Sequence, residues 1–288
     1  MGAIYFLSDA HLGSPYHDDP RRAELRLVAW LRSIADDAEA VYLLGDMLDY
    51  WFDYKYVVPR GAVRFLAALA DLVEQGVEVH YIMGNHDLWL TDYFEKELGV
   101  IEHRDTIVCQ LKGRTFRLSH GHREYALRYK KERWLFGTFE SRLARRLYAA
   151  IHPRWTVGFA QRWAYRNRLR QMRAANDPSR PGYNPQMNVE QDEWLVQYTK
   201  ELIPQHPEID YYYIWSPSSA AQPLAPRRPS LYHPRRLDPL QLLRPLGRRV
   251  AHYRALQRAV KALRRVDRTL TCRASLGEMF VLSLSMSS

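Results

Sequence analysis

The stretch Ala40-Val41-Tyr42-Leu43-Leu44-Gly45-Asp46-Met47-Leu48-Asp49 runs from an unbroken apolar segment into a turn that carries two carboxylates. A short apolar run closed by glycine reads as a buried strand, and the carboxylates then stand at its C-terminal end. The arrangement recurs three times. Residues 3–7 lead into Asp9-Ala10-His11, residues 77–83 into Gly84-Asn85-His86-Asp87, and residues 115–118 into Ser119-His120-Gly121-His122. Between the runs, residues 21–35 place Leu25, Val28, Ala29 and Leu31 at helical spacing, and residues 63–73 do the same before Gly76. Strand, helix, strand, helix, strand predicts a largely parallel α/β layer up to about Ser119. In such a sheet, ligands gather at the C-terminal ends of the strands.

The residue types at those ends point to a pair of metal ions. Asp9 and His11 are two apart, so on an extended strand both project to one side and grip one ion. Asp46 has two oxygens with which to bridge two ions. Asn85 offers an amide oxygen and His120 an imidazole nitrogen to the second. Mixed oxygen and nitrogen donors suit manganese, iron or zinc better than an all-oxygen magnesium or calcium cage. Ions about 3.5–4 Å apart bind a phosphoryl group, activate a water and stabilise developing charge. Asp49, one helical turn after Asp46, orients His86, which faces the leaving-group oxygen as donor or general acid. Each cluster alone is commonplace, and Gly84-Asn85-His86-Asp87 is a good turn in its own right. All four in this order, each after a strand, indicate a dinuclear hydrolytic centre.

Composition narrows the class. The chain has 288 residues with 47% hydrophobic and 12% aromatic content, as globular proteins do. Cys109 and Cys272 form no C-x-x-C pair, the pattern of a reduced, cytosolic compartment. No apolar stretch has the length of a membrane span, and the N-terminus runs straight into a strand rather than a signal peptide. The formal charge of +10 looks like a nucleic-acid signature, yet 14 of the 42 basic and 3 of the 32 acidic residues lie from Trp215 onward. The tail therefore carries +11 and the rest of the chain −1. That tail holds 7 of the 16 prolines and 13 arginines against one lysine. It lacks interleaved aromatics or a recognisable module for nucleic acid.

Residues 124–175 change to long helices rich in Arg, Trp and Tyr, broken at His152-Pro153, and read as an inserted helical cap. Residues 176–185 are a loop, residues 189–202 an amphipathic helix and residues 209–214 a strand. In the tail, strand signals largely vanish; residues 251–263 form a basic helix without a clear core face. Within the cap, Trp134, Leu135, Phe136, Phe139, Leu143, Leu147 and Tyr148 recur at helical intervals, with Arg142, Arg145 and Arg146 between them. An apolar side that receives acyl chains and arginines that meet a diphosphate or anionic headgroups fit this pattern. Simple packing of the stripe onto the body is the plain alternative.

The order D-x-H, G-D-x-x-D, G-N-H-D, H-G-H resembles the calcineurin-like metallophosphoesterases over about residues 3–214. Gly45-Asp46-Met47-Leu48-Asp49-Tyr50-Trp51-Phe52 and the Arg- and Trp-rich insertion are similar to the UDP-2,3-diacylglucosamine diphosphatases within them. The resemblance implies a four-layer α/β/β/α sandwich and a dinuclear, usually manganese, centre. It implies hydrolysis of a UDP-linked diacylated glucosamine to UMP and the lipid 1-phosphate in lipid A synthesis, on the cytoplasmic face of the inner membrane and peripheral to its anionic surface. By position, Asp9 and His11 hold the first metal, Asp46 bridges, and Asn85 and His120 hold the second. Where many relatives have Arg after the Asn, this chain has His86.

The same family closes its site with G-H-x-H after the strand that ends here at Ile214. This chain reads Trp215-Ser216-Pro217-Ser218-Ser219-Ala220 instead. Codons allowed for Ile214 to Ala221 (ATT TGG TCA CCG TCA TCT GCC G) spell Phe-Gly-His-Arg-His-Leu-Pro from their second base. The expectation is a metallophosphoesterase domain over 1–214 and an out-of-frame tail over 215–288. Two alternatives stand beside the lipid hydrolase: a phosphoesterase acting on a nucleotide or phosphoprotein, and a non-catalytic relic.

Overall fold

A computed structural model of the chain describes residues 2–14, 17, 19–128, 130–175, 194–214, 271–274 and 279–283. Two sheets carry the architecture. The first has the order β4-β3-β2-β1-β9-β8 and the second β5-β6-β7. Strands β1 (Ala3–Ser8), β2 (Ala38–Leu44), β3 (Glu78–Ile82) and β4 (Ile101–His103) run parallel. On the far side of β1, β9 (Met279–Ser283) pairs parallel and β8 (Thr271–Ala274) antiparallel to it. The second sheet holds β5 (Ile107–Leu111), β6 (Arg114–Ser119) and β7 (Tyr211–Ile214).

Two cores follow from the two faces of the first sheet. Helices α1 (Pro20–Ile34), α2 (Val63–Glu74) and α3 (Tyr93–Leu98) bury Trp30, Leu31, Phe65, Leu69 and Phe94 against one face. The other face meets the second sheet through Ile4, Phe6, Tyr42, Phe116, Tyr211 and Tyr213. Rings stack across this second core from Tyr213 to Phe6 (centroids 4.8 Å), Phe6 to Tyr42 (5.4 Å), Tyr42 to His80 (4.3 Å) and His80 to His103 (5.3 Å). The row follows from parallel pairing, which sets same-face side chains of neighbouring strands side by side. Both faces of β1 and β2 are thus covered, which is why their sequences are apolar runs rather than alternations.

Side-chain carboxylates cap the helices. Asp19 accepts the Arg22 N–H at 3.0 Å at the start of α1. Glu24, buried on α1, accepts the amides of Arg64 (2.8 Å) and Phe65 (3.3 Å), so it caps α2, whose own N-cap Ala62 has no side-chain acceptor. Asp53 accepts the amides of Thr91 (2.5 Å), Asp92 (3.2 Å) and Tyr93 (3.3 Å) and caps α3.

The sequence reading placed no strand at 101–103 or 107–111. Both exist, and β5 turns into β6 through Lys112 and Gly113, with φ of 51° and 74°, a left-handed pair suited to a two-residue hairpin. After β6 come α4 (His122–Arg128), α5 (Lys130–Glu140), α6 (Arg142–Ala150) and α7 (Pro153–Ala175). Helix α8 (Trp194–Leu202) precedes β7; burial raises the Tyr198 phenol, with Glu124 and Arg117 of β6 also acting on it. Among the described residues, no helix is long and apolar enough to cross a membrane. The tail does hold strands, β8 and β9, contrary to the sequence reading. The loop at 176–185 and the basic helix at 251–263 lie outside the described residues, as does Trp215 to Ala220.

Candidate metal centre

The turn after β1 and the turn after β2 are zipped to each other. Asp9 N–H bonds Gly45 O (3.1 Å), His11 N–H bonds Asp46 O (2.9 Å), Leu12 N–H bonds Met47 O (2.9 Å), and Asp49 N–H bonds Leu12 O (3.1 Å). To do so the backbone enters the left-handed region at Asp9 (φ 55°), His11 (φ 41°) and Asp46 (φ 53°). Each such residue costs roughly 1–2 kcal/mol, and strain of this kind collects at functional sites. Two expectations are corrected here. Asp9 and His11 converge through left-handed kinks, not through strand alternation. Asp46 and Asp49 are not a helical turn apart; Leu48 forms a bridge with Leu12 instead.

The donors close up around Asp46. His120 Nε2 lies 3.3 Å from Asp46 Oδ2, and His11 Nε2 lies 3.9 Å from the same oxygen and 3.5 Å from Asp9 Oδ1. Asp46 Oδ1 accepts the His86 amide at 2.9 Å. Asp9, Asp46 and His120 each bring one donor atom within 4.8 Å of the others, and so do His11, Asp46 and His86. Two triads sharing one carboxylate fit a pair of divalent cations with Asp46 between them. In these groups Asp9 falls with His120, and His86, expected as the proton donor, falls with His11 and Asp46. Asn85 sits between Gly84 and His86 in the turn after β3.

Two glycines make room for this. A Cβ on Gly84 would land on the Asp46 carboxylate, and one on Gly45, already at φ 83°, would sit 2.7 Å from His120 Nδ1. His120 Nδ1 is 2.8 Å from Leu44 O. A carbonyl only accepts, so Nδ1 carries the proton and Nε2 is left to face Asp46. Asp49 Oδ1 lies 3.6 Å from His11 Nδ1, the outward nitrogen of that ring. Asp87, fully buried, accepts from Tyr81 Oη (2.6 Å) and Gly84 N–H (2.5 Å) and so holds the Gly84–Asp87 turn, a role the sequence reading did not assign.

Electrostatics bind the group together. Burial alone would raise the Asp46 carboxyl, but His120, His86 and His11 outweigh it and hold it well below the usual range. Burial opposes charge on His120, yet Asp46, Asp9 and Asp87 lift it to about 10. Burial, then Asp46, pushes Asp87 up to about 6. Concentrated negative charge that lifts an imidazole so far is what a divalent cation would neutralise.

The cap meets this centre through aromatic rings and hydroxyls. Tyr148 of α6 packs on Phe52 (4.8 Å) and Trp89 (4.6 Å), and Trp89 Nε1 donates to Phe139 O at 2.8 Å. Tyr148 Oη donates to Thr156 O (3.0 Å) and lies 3.1 Å from Tyr50 Oη. Trp134, Leu143 and Leu147 remain mostly exposed, at 73%, 66% and 61%, so the stripe read as continuous is divided between body and surface. A cavity of about 400 Å³ opens between residues 50–62 and the start of α7, lined by Asp49, Tyr50, Tyr54, Arg60 and Arg154 among others.

His122, quoted in the fourth cluster without a role, is buried between His120 and Phe136, with ring centroids 5.5 Å from each. Burial, reinforced by His120, pushes it down to about 3, so its ring is neutral.

Comparison with known proteins agrees with this geometry. The chain is 48% identical over 212 residues to the UDP-2,3-diacylglucosamine hydrolase of Porphyromonas gingivalis, covering 73% of this chain and 80% of that one. It is 30% identical over 166 residues to the protein of the same name from Nitrosococcus oceani, covering 56% and 62%. With that of Stenotrophomonas maltophilia it shares 34% over 119 residues, covering 40% and 45%. The chain thus spans less than two thirds of the second and third relatives. The sequence profile of the calcineurin-like phosphoesterases matches residues 2–219, taking in all four donor-bearing turns, and the chain belongs to that family.

Proposed function

We propose that the chain hydrolyses the phosphoanhydride of UDP-2,3-diacylglucosamine, adding water across one P–O bond to give UMP and the lipid 1-phosphate. The observation that carries this reading is the pair of donor triads sharing Asp46 beneath a helical cap. Divalent ions, with manganese the one proposed, supply water activation and charge neutralisation when bound. Asp9, His11, Asp46, Asn85 and His120 hold them. His86 donates Nδ1–H to Asp49 O at 2.8 Å, which leaves Nε2 to deliver a proton to the departing oxygen. Exposed Trp134, Leu143, Leu147, Trp155 and Phe159 on the cap, beside Arg142 and Arg154, support a peripheral seat on an anionic bilayer on the cytoplasmic side. Residues 124–175 act as the cap, and 215–288 are proposed to be read out of frame.

UMP release with Mn²⁺, measured for this chain and for one decoded in the shifted frame after Ile214, tests the proposal. Activity on the lipid nucleotide in the restored chain supports it. Hydrolysis of simple nucleotides alone would favour the broader phosphoesterase. Silence from both chains would leave a relic. Gene sequence at the Ile214 codon that excludes Gly-His-x-His in the shifted frame removes the out-of-frame reading.

A further inference from the structure

The cavity of about 400 Å³ between residues 50–62 and the first turns of α7 adjoins the metal centre, since Asp49 and Leu12, the neighbour of His11, both line it. Its size is that of a small-molecule site. Hydroxyl contacts hold its two walls together. Tyr54 Oη lies 2.6 Å from Thr156 Oγ1, and Tyr50 Oη lies 3.1 Å from Tyr148 Oη. On the cap wall stand Arg154, Val157 and Gln161, whereas Trp155 and Phe159 of the same helix are exposed and do not line the cavity. Charge in this cavity is one-sided. Arg60 from the body and Arg154 from the cap bring two guanidiniums, and neither has an ion-pair partner among the described residues. The carboxylate in the lining, Asp49, already lies 3.6 Å from His11 Nδ1 and 3.8 Å from His86 Nδ1.

We propose that this cavity binds the phosphate of the substrate that the metal ions do not hold, clamped between Arg60 of the body and Arg154 of the cap. The clamp rests on the metallophosphoesterase reading and adds to it the residues that position the uncut side of the diphosphate. Only one of two phosphoryl groups is attacked at the metal centre, and the other needs its own counter-charge. Two cations around one cavity concentrate anions there, and the guanidinium fork matches phosphate oxygens. An acyl chain would instead leave both cations facing hydrocarbon. Arginines scattered over a surface need no ligand to explain them, but these two come from separate elements onto one cavity beside the donor triads. After the cut both halves of the substrate are phosphate monoesters, so UMP and the sugar 1-phosphate share the recognised chemistry.

Titration calorimetry of UMP and of glucosamine 1-phosphate into the Mn²⁺-supplemented full chain tests this, in the parent, Arg60→Gln, Arg154→Gln and the two lysine counterparts. For the monoester that the parent binds, each glutamine variant is expected to lose about tenfold or more in affinity, the scale of a hydrogen bond to a charged group. Arg60→Lys and Arg154→Lys, which keep the charge without the fork, should fall between. Mn²⁺ affinity and thermal unfolding stay at the parent values, because both arginines are exposed and belong to neither donor triad. A preference for UMP assigns the cavity to the nucleotide half and a preference for glucosamine 1-phosphate to the lipid half; both sustain the clamp. Parent affinity in either glutamine variant overturns it, as does absence of binding of both monoesters to the parent chain. Should a glutamine variant fail to fold, its lysine counterpart decides, weakened binding supporting the clamp and parent affinity opposing it. Arginine-dependent binding with no UMP released from the lipid nucleotide, by this chain or the frame-restored one, keeps the clamp and sinks the UDP-lipid reading. Hydrolysis of the lipid nucleotide with a KM that ignores both arginines does the reverse.

Discussion

His86 Nδ1 lies 2.8 Å from the carbonyl oxygen of Asp49 and 3.8 Å from its carboxylate. The backbone, not the side chain, therefore sets the tautomer of His86, and the Asp49 carboxylate is left beside His11 Nδ1 at 3.6 Å. The two residues should fail differently. In Asp49→Ala, His86 keeps its carbonyl acceptor while His11 loses its outward partner. Mn²⁺ affinity is expected to fall about 10–100-fold, with the hydrolytic rate at saturating Mn²⁺ near the parent value. His86→Ala should instead lower that saturated rate by about 10²–10⁴. A metal titration of the rate separates them, and a rate in Asp49→Ala that stays low at saturating metal contradicts the assignment.

Gly84→Ala tests the close approach of two turns. Gly84 has no left-handed φ, so the substitution meets no backbone objection. It meets a spatial one, because the new methyl falls on the Asp46 carboxylate and 2.5 Å from Asp46 N. Displacing backbone in a packed site costs about 1–3 kcal/mol, and here the displaced atoms are the shared ligand. Both chemical-denaturation midpoint and Mn²⁺ binding should drop together. Loss of stability with intact metal binding would show that Asp46 moves freely, against this account.

Much of this was legible in the chain. Apolar runs ending at Asp9, Asp46, Gly84 and His120 marked four strands because both faces of a central parallel strand are buried, and burial leaves a continuous signature. The hairpin at 107–118 was missed at its first strand because Val108 and Gln110 face outward and dilute the apolar signal. The convergence of Asp9 with His120 was hidden as well. It depends on left-handed backbone at three non-glycine residues, which propensity alone argues against. Tyr50, Trp89 and Thr156 are not legible in the chain because their value lies in contacts across as many as 102 positions between cap and body, and spacing carries no trace of these. Glu24 could have been found: a glutamate on the apolar face of α1 demands a partner, and the α2 amides are that partner.

Acid should weaken the edge of the first sheet. His80 Nδ1 and His103 Nε2 are 3.0 Å apart. Burial lowers both pKa values; Glu78 pulls His80 partly back, and His80 lowers His103 further. The folded state then binds fewer protons than the unfolded one below the ordinary histidine range near 6.5. Stability contributed by the neutral pair is present above that range and is lost as pH falls through it. Unfolding midpoints between pH 7.5 and 5 should decline, and His103→Gln should flatten the decline. An identical slope in the variant would assign the acid sensitivity elsewhere.

The hydroxyl chain that ties the cap to the body has a direction. Tyr148 Oη donates to Thr156 O, so in its 3.1 Å contact with Tyr50 it must accept. Tyr148→Phe removes both bonds but keeps the ring against Trp89 and Phe52. The expected cost is about 1–3 kcal/mol, about 0.5–1.5 for each bond, seen as a lower unfolding midpoint. Since Tyr50 follows Asp49, KM for the lipid substrate should rise more than kcat falls. A change confined to kcat would mean that the cap serves the reacting groups rather than the lipid.

Strand β9 covers the flank of β1 through parallel pairing from Ile4↔Met279 to Ser8↔Ser283. Without it, the central strand that leads directly into Asp9 would become an edge with unpaired amides, flanked by buried side chains, and such edges recruit other chains. If that pairing belongs to the native fold, truncation after Ile214 lowers the unfolding midpoint and drives concentration-dependent association, followed by light scattering. It should also weaken Mn²⁺ binding, because Asp9 and His11 hang from the end of that strand. An out-of-frame tail predicts the opposite. Residues decoded in a foreign frame carry no selected pattern of pairing, so their removal would leave both midpoint and association unchanged. The same truncation thus weighs the β1–β9 pairing against the codon argument at Ile214, and a scattering curve that does not move decides for the codons.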